Sequence, residues 1–227
     1  MGREPNACEV KAPFITFEGT EGSGKTTQIS LLAERLRSMG HRVRTLREPG
    51  GTPIGEEIRH TLKHSPANHA MTPEAELLLM NASRAQLVRE VIRPALADGE
   101  IVLCDRFYDS TTAYQGYGRG LDLQMVKHII EVAVGETRPD LTLLFVVPQE
   151  VSEARRVARQ PTLPLPFKRD RFEEADQSFF ARVAQGYQAI AAAEPQRVRQ
   201  FDATGNVATI QAAIWDLVQP RVRNLRH

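Results

Sequence analysis

Residues 14–27 read Phe14-Ile15-Thr16-Phe17-Glu18-Gly19-Thr20-Glu21-Gly22-Ser23-Gly24-Lys25-Thr26-Thr27, and this stretch decides the fold. An apolar, β-prone run leads into Gly-x-x-x-x-Gly-Lys-Thr, the phosphate-binding loop pattern. Gly19, Gly22 and Gly24 let the backbone turn with its N–H groups pointing inward, where they can surround phosphate oxygens. Lys25 supplies a cation for the β- and γ-phosphates, and Thr26 supplies a hydroxyl for a divalent metal ion. A helical pattern from Gln28 to Met39 follows, and its N-terminus adds a positive dipole end. The plain alternative is a Gly-rich turn between a strand and a helix with no ligand. Lys is scarce in this chain, and Lys25 falls where a phosphate needs it.

Working outward, strand-like runs recur at Phe14–Glu18, Val43–Arg47, Ile101–Asp105, Leu141–Val147 and Val198–Asp202, with helical stretches between them. Alternating β and α elements predict an α/β fold of three layers, a five-stranded, mainly parallel sheet flanked by helices. Ligands in such folds sit at the carboxyl ends of the strands. Glu18, Arg47, Glu48, Asp105, Arg106 and Asp202 all fall there. The chain reads as a single domain over residues 1–227, with residues 1–11 a disordered leader.

The second strand runs into Arg47-Glu48-Pro49-Gly50-Gly51-Thr52, a loop by its Pro and paired Gly. Arg47 stands at its mouth, facing either a ligand phosphate or solvent. His60, His64 and His69 lack a His-Glu-x-x-His pattern or a partner Cys, so they read as a solvated helix face rather than a metal site. Thr72 caps a helix with Pro73 at its first position. Met80 and Arg84 share a face of that helix, and Arg84, taken alone, reads as a surface cation. Ile101-Val102-Leu103-Cys104-Asp105 is an apolar strand ending in an acid, as in P-loop enzymes where such an Asp helps hold Mg²⁺. A local ion pair with Arg106 is the competing reading. Ser110-Thr111-Thr112-Ala113-Tyr114-Gln115-Gly116 supplies hydroxyls, a phenol and an amide suited to a polar planar ligand, or else merely a capped short helix. Residues 155–172 are basic and Pro-rich in the middle. They read as a mobile lid that closes on phosphates, or as a solvated charged loop. Trp215 packs the last helix, Val207–Val218, onto the body.

Composition narrows the class. The 227 residues are 41% hydrophobic and 25% charged with net charge +1, so no global basic character points to nucleic acid. Aromatic residues at 6% disfavour a base-stacking surface. Cys8 and Cys104 form no disulfide or metal pattern, and Cys104 reads as a small core residue. No run approaches membrane-spanning length, and the N-terminus lacks a signal-peptide apolar region. A cytoplasmic location follows as the expectation.

A phosphoryl acceptor can be reasoned from the same residues. A nucleoside monophosphate has a second pKa near about 6 and is already a nucleophile at neutral pH. A hydroxyl acceptor needs a general base. No dedicated base stands out, which favours a phosphate acceptor, although Glu18 and Glu21 keep the alternative open.

Phe-Glu-Gly-Thr-Glu-Gly-Ser-Gly-Lys-Thr-Thr (17–27), Arg-Glu-Pro-Gly-Gly-Thr (47–52), Asp-Arg-Phe-Tyr-Asp-Ser-Thr-Thr-Ala-Tyr-Gln-Gly (105–116), Arg-Pro-Asp-Leu-Thr (138–142) and Asp-Arg-Phe-Glu (170–173), in this order, closely resemble the bacterial thymidylate kinases among the nucleoside monophosphate kinases. The resemblance runs from about Phe14 to Val218. It implies ATP and dTMP as substrates, Mg²⁺ as cofactor, dTDP as product and a homodimer, with no nucleic acid or membrane partner. It implies that Gly19, Thr20, Glu21, Gly22, Ser23, Gly24, Lys25, Thr26 and Thr27 bind ATP and that Thr26 and Asp105 hold the metal. Lys25, Arg106, Arg159 and Arg171 would be catalytic, with Arg159 toward adenine and Arg171 toward phosphates. Gly22 stands where other branches carry an Arg, so the lid would supply the catalytic arginine. Arg47 and Arg106 would hold the dTMP phosphate, and Glu21 would contact the sugar 3′-hydroxyl. Arg84 would hydrogen-bond the thymine. Pro49, Ser110, Thr111 and Gln115 would line the acceptor pocket, and Tyr114 would crowd the 2′ position. Two departures stand out. Met80 occupies the place of a Phe that stacks on thymine, which bears on selectivity against dUMP, and the lid carries a longer Pro-rich insert.

Two other classes compete. A GTPase switch should carry Asn-Lys-x-Asp, which is absent, and a motor ATPase usually follows its strand-end Asp with Glu, where Arg106 stands. A deoxynucleoside kinase should carry a clear base and phosphorylate thymidine instead of dTMP.

Overall fold

Every residue from Phe14 to Gly19 is buried, and the chain is wound around that strand. The computed structural model describes residues 11–158, 177–223 and 225. β1 (Phe14–Gly19) pairs in parallel with β3 (Ile101–Asp105) on one side and β4 (Leu141–Val146) on the other. β2 (Val43–Arg47) and β5 (Val198–Asp202) complete the order β2-β3-β1-β4-β5. All four pairings are parallel. Because β1 and β3 read nearly all apolar, both faces of the sheet must be covered.

Side chains alternate between the two faces with the period of a strand. Ile15, Phe17, Leu103 and Leu143 join Leu32 and Leu36 of α1 (Lys25–Ser38) and Ile214, Trp215 and Val218 of α9 (Val207–Val222). Phe14, Val102 and Cys104 face the opposite layer, built from α3 (Pro73–Leu87), α4 (Arg93–Ala97) and α6 (Leu123–Val134). α2 (Pro53–Lys63) packs beside α3. A third cluster joins Tyr114, Phe179, Val183 and Tyr187, where α8 (Gln177–Ala193) meets the segment after β3. That segment is α5 (Tyr108–Thr111), running straight into a π-helical stretch at Thr112–Gly118. α7 (Gln149–Ala158) follows β4.

Several boundaries differ from the sequence reading. α1 starts at Lys25 rather than Gln28, because Gly24 caps it at φ +93 and the loop turns directly into the helix. α9 continues past Pro220 to Val222, since Val222 is buried in the core and holds the last turn down. Arg84 is 2% exposed, not a surface cation. Cys104 is buried, and Trp215 packs α9 against α1 with the Arg35 guanidinium 3.7 Å above its ring. The lid assignment falls mostly outside the described residues, as do Arg159 and Arg171, the 1–10 part of the leader and Cys8. No described helix is long and apolar enough to cross a membrane.

Candidate active site

At the carboxyl end of β1 the loop Gly19–Gly24 wraps the side chain of Lys25. Nζ donates to the carbonyls of Gly19 at 3.1 Å and Thr20 at 2.8 Å, and lies 3.4 Å from Ser23 Oγ. Gly19 has φ +131, and a Cβ there would come within 2.3 Å of the Phe145 carbonyl oxygen, so only glycine fits. Burial pushes the Lys25 ammonium down to about 7, with Arg106 adding repulsion and Asp105, Glu18 and Glu21 opposing it. A cation destabilised in this way gains most from an anion placed beside it.

Asp105 ends β3 next door. Its Oδ2 lies 3.5 Å from Thr26 Oγ1. Its Oδ1 is buried with no hydrogen-bond partner among the described residues. An orphaned carboxylate oxygen beside a threonine hydroxyl is the oxygen-rich donor set that Mg²⁺ takes, so the residues fit that ion.

Arg106 follows at φ +68, the only described non-glycine residue in the left-handed region. Its amide bonds the Phe17 carbonyl at 2.9 Å, which fixes the strained backbone to the neighbouring strand. Among the described residues the guanidinium hydrogen-bonds only hydroxyl groups: Ser110 Oγ at 3.1 Å, Tyr187 Oη at 3.4 Å and Tyr114 Oη at 3.4 Å. It also lies 5.1 Å from the centre of the Tyr114 ring. No carboxylate hydrogen-bonds it among the described residues, so its charge stays available to a ligand anion.

Glu18 underpins this arrangement. Oε1 accepts from the amides of Phe107 at 2.7 Å and Ser110 at 3.3 Å. Oε2 accepts from Ser110 Oγ at 2.6 Å and Tyr187 Oη at 2.9 Å. Burial, then the charge of Asp109, raises this carboxyl to about 7 against the pull of Arg106. With both oxygens engaged by the chain, Glu18 serves as a structural acceptor rather than an open base.

Arg84 and Glu48 form a second buried group. Arg84 Nε and Nη2 both bond Glu48 Oε2, at 2.8 and 2.7 Å. Nη1 bonds Asn81 Oδ1 and Thr111 Oγ1, both at 2.9 Å, and Nη2 also reaches the Phe107 carbonyl at 3.2 Å. All five N–H groups of the guanidinium are therefore engaged. Burial raises the Glu48 carboxyl against the pull of Arg84. A base contact from Arg84 requires one of these bonds to be shared.

The other expected residues fall around these two groups. Arg47 is held by both oxygens of Glu56, at 3.0 and 2.9 Å, and bonds the Pro49 carbonyl. That pair is about half exposed on both sides, so a phosphate can compete for Arg47. Glu48-Pro49 is a cis peptide. Met80 packs against the cluster of Tyr114 and Phe179. Gln115 turns inward to Glu76, whose carboxylate also accepts from Nε and Nη2 of Arg119. Glu21 lies 3.7 Å from Lys63 Nζ.

On the far side of the loop, a cavity of about 360 Å³ is lined by Gly22, Gly24, Thr27, Arg155, Ala203 and Gly205. Arg155 closes it by donating to the Ala203 carbonyl at 2.8 Å. Ser152 bonds the Glu21 carbonyl, so α7 leans on the loop. The sequence places Arg155 at the start of the basic lid segment without a role of its own, and does not mark Tyr187 at all. Nothing local marks them: Tyr187 stands 169 residues from Glu18, and Arg155 is one of a run of basic residues.

A family model described as thymidylate kinase matches residues 17–214. The chain belongs to that family. Among curated relatives, the thymidylate kinase of Syntrophotalea carbinolica is 52% identical over 202 residues, covering 89% of this chain and 93% of that protein. The thymidylate kinase of Thermomicrobium roseum is 49% identical over 205 residues, covering 90% and 93%. The solved thymidylate kinase of Ehrlichia chaffeensis superposes with a TM-score of 0.73 at 32% identity, covering 92% of this chain and 99% of that one. This thymidylate kinase family member is a phosphotransferase, and its sheet and helices are those of the family's fold.

Proposed function

We propose that the chain transfers the γ-phosphoryl group of ATP to dTMP, giving ADP and dTDP. The observation that carries the reading is the Arg106 guanidinium beside Lys25 and Asp105, hydrogen-bonded to hydroxyl groups and to no carboxylate among the described residues. A phosphate oxygen of dTMP attacks the γ-phosphorus, the bond to the β,γ-bridging oxygen breaks, and the electron pair leaves with ADP. The dTMP phosphate is mostly a dianion at neutral pH, so no proton has to be removed first. The engagement of both Glu18 oxygens supports a mechanism without a base.

Residues 19–27 cradle the ATP phosphates, and Lys25 bonds the β- and γ-phosphates. The adenosine occupies the cavity walled by Arg155 and Gly205. Thr26 and Asp105 would hold Mg²⁺, which when bound neutralises the triphosphate and orients it for in-line attack. Arg47 exchanges Glu56 for the dTMP phosphate, and Arg106 stabilises charge on the transferring group. Arg159 and Arg171 remain proposed lid contacts. Arg84, Thr111 and Gln115 border the base, with Met80, Pro49 and Ser110; Tyr114 restricts the sugar, and Glu21 meets its 3′-hydroxyl. One kinase domain, a cytoplasmic location and a homodimer belong to the same reading. Ile54 of α2, Leu78 of α3 and Val132 of α6 are exposed on a single helical layer, which supports a self-association face there.

The test is ADP release from Mg-ATP with dTMP, dUMP, thymidine or no acceptor. Fast release with dTMP alone, or with dTMP above dUMP, is the expected outcome. Release only with thymidine moves the acceptor to a hydroxyl, and equal release everywhere means hydrolysis.

A further inference from the structure

Glu48 stands at the end of β2 with its amide bonded to the Asp105 carbonyl at 2.9 Å, so its backbone is fixed to β3. Its carboxylate is buried, and among the described residues its one charged partner by hydrogen bond is Arg84. The two short bonds run from Arg84 Nε and Nη2 and converge on one oxygen, Oε2. They therefore occupy one edge of the planar guanidinium and fix its rotation. The remaining nitrogen, Nη1, is turned toward Asn81 on α3 and Thr111 on α5. A flexible arginine becomes a rigid brace between three elements, each of which contributes to the carboxyl edge of the sheet.

We infer that Glu48 is a positioning residue for recognition of the acceptor nucleotide, acting through Arg84 and, beyond it, Thr111. The inference rests on the proposal that Arg84 and Thr111 border the nucleobase. Among the described residues the Glu48 carboxylate hydrogen-bonds none of Lys25, Thr26, Asp105 and Arg106; only its backbone amide meets the Asp105 carbonyl, a bond that a side-chain change keeps, and Lys25, Asp105 and Arg106 have side-chain partners of their own. Its influence should fall on binding of the acceptor, leaving ATP binding and the transfer step alone. The same separation tells positioning from general support of the fold.

Glu48→Gln keeps the length and an oxygen acceptor but removes the charge that holds the guanidinium. The expected result is a KM for dTMP raised by about tenfold, with kcat and the KM for ATP within about twofold. Arg84→Lys keeps the charge but loses the planar fork, and should raise the same KM. Adding Glu48→Gln to it should then change KM by less than about twofold, because both act through one path. Unchanged dTMP kinetics in Glu48→Gln, equal rises in both KM values, or additive effects in the double variant would overturn the inference. Should Glu48→Gln fail to fold, Glu48→Asp, shorter by one methylene with the charge kept, must show the same split at smaller size. A wild-type protein inactive on dTMP refutes the proposed function; an active wild type with an indifferent Glu48 refutes this inference alone.

Discussion

Arg106 concentrates the chemistry of the site in one side chain. Its backbone holds a conformation that non-glycine residues seldom adopt, and its guanidinium hydrogen-bonds no carboxylate among the described residues. Its hydrogen bonds, at 3.1 to 3.4 Å to neutral hydroxyls, are longer than those of a close ion pair with a carboxylate or phosphate. Arg106→Ala should therefore cost about 10²–10³ in kcat, the range for removing a group that stabilises transition-state charge. Denaturant unfolding of the same variant should shift by no more than about 1 kcal/mol. Near-normal turnover would refute the role. Arg106 was legible in the sequence because it directly follows an apolar strand that ends in Asp. Arg84 was not. A mid-helix arginine reads as surface by default, and the carboxylate that draws it inside lies 36 residues away.

The elements carry the site on a frame with its own buried polar chain. Asp109 of α5 takes Arg197, just before β5, at 2.7 and 2.9 Å. Thr142 of β4 bonds Asp109 and lies 2.7 Å from Thr16 of β1. This chain pins α5, and with it Ser110 and Thr111, to the sheet. Asp109→Asn leaves Arg197 with Glu194 as its remaining carboxylate partner among the described residues, and replacing the charged acceptor of a nearly buried arginine should cost about 1–3 kcal/mol. Chemical denaturation should show that loss; a change below about 1 kcal/mol would mean the pair is dispensable. The central strands β1, β3 and β4 were legible as mostly apolar buried runs, and the edge strands β2 and β5 as short runs that mix apolar with polar residues. The π-helical stretch after Thr112 was not, because a slipped hydrogen-bond ladder leaves no mark in residue type. Nor was the hold of α8 on the site, since Tyr187 sits in an ordinary apolar helix pattern.

The order β2-β3-β1-β4-β5 brings together residues from every part of the described chain, and that order is set by packing rather than by any local signal. One consequence is a site with two groups near neutrality, Lys25 lowered from 10.5 to about 7 and Glu18 raised from 4.5 to about 7, each chiefly by burial. Between the unfolded and folded values of Glu18, the folded chain binds the extra proton, so this group makes stability fall as pH rises toward 7. For Lys25 the unfolded chain binds it, so stability rises with pH above 7. Taken together, these two groups give the free protein a stability minimum near neutral pH. A triphosphate beside Lys25 restores its charge. ATP binding at about pH 8 should then take up close to one proton, seen as a binding enthalpy that varies with the ionisation heat of the buffer. A buffer-independent enthalpy would show that Lys25 is already charged in the free protein.

The most direct test of the whole account is phosphorus NMR of Mg-ATP, dTMP and catalytic protein in one tube. The β-phosphorus signal of dTDP should grow in step with ADP, with no inorganic phosphate. Inorganic phosphate growing in step with ADP, and dTMP left intact, would contradict it.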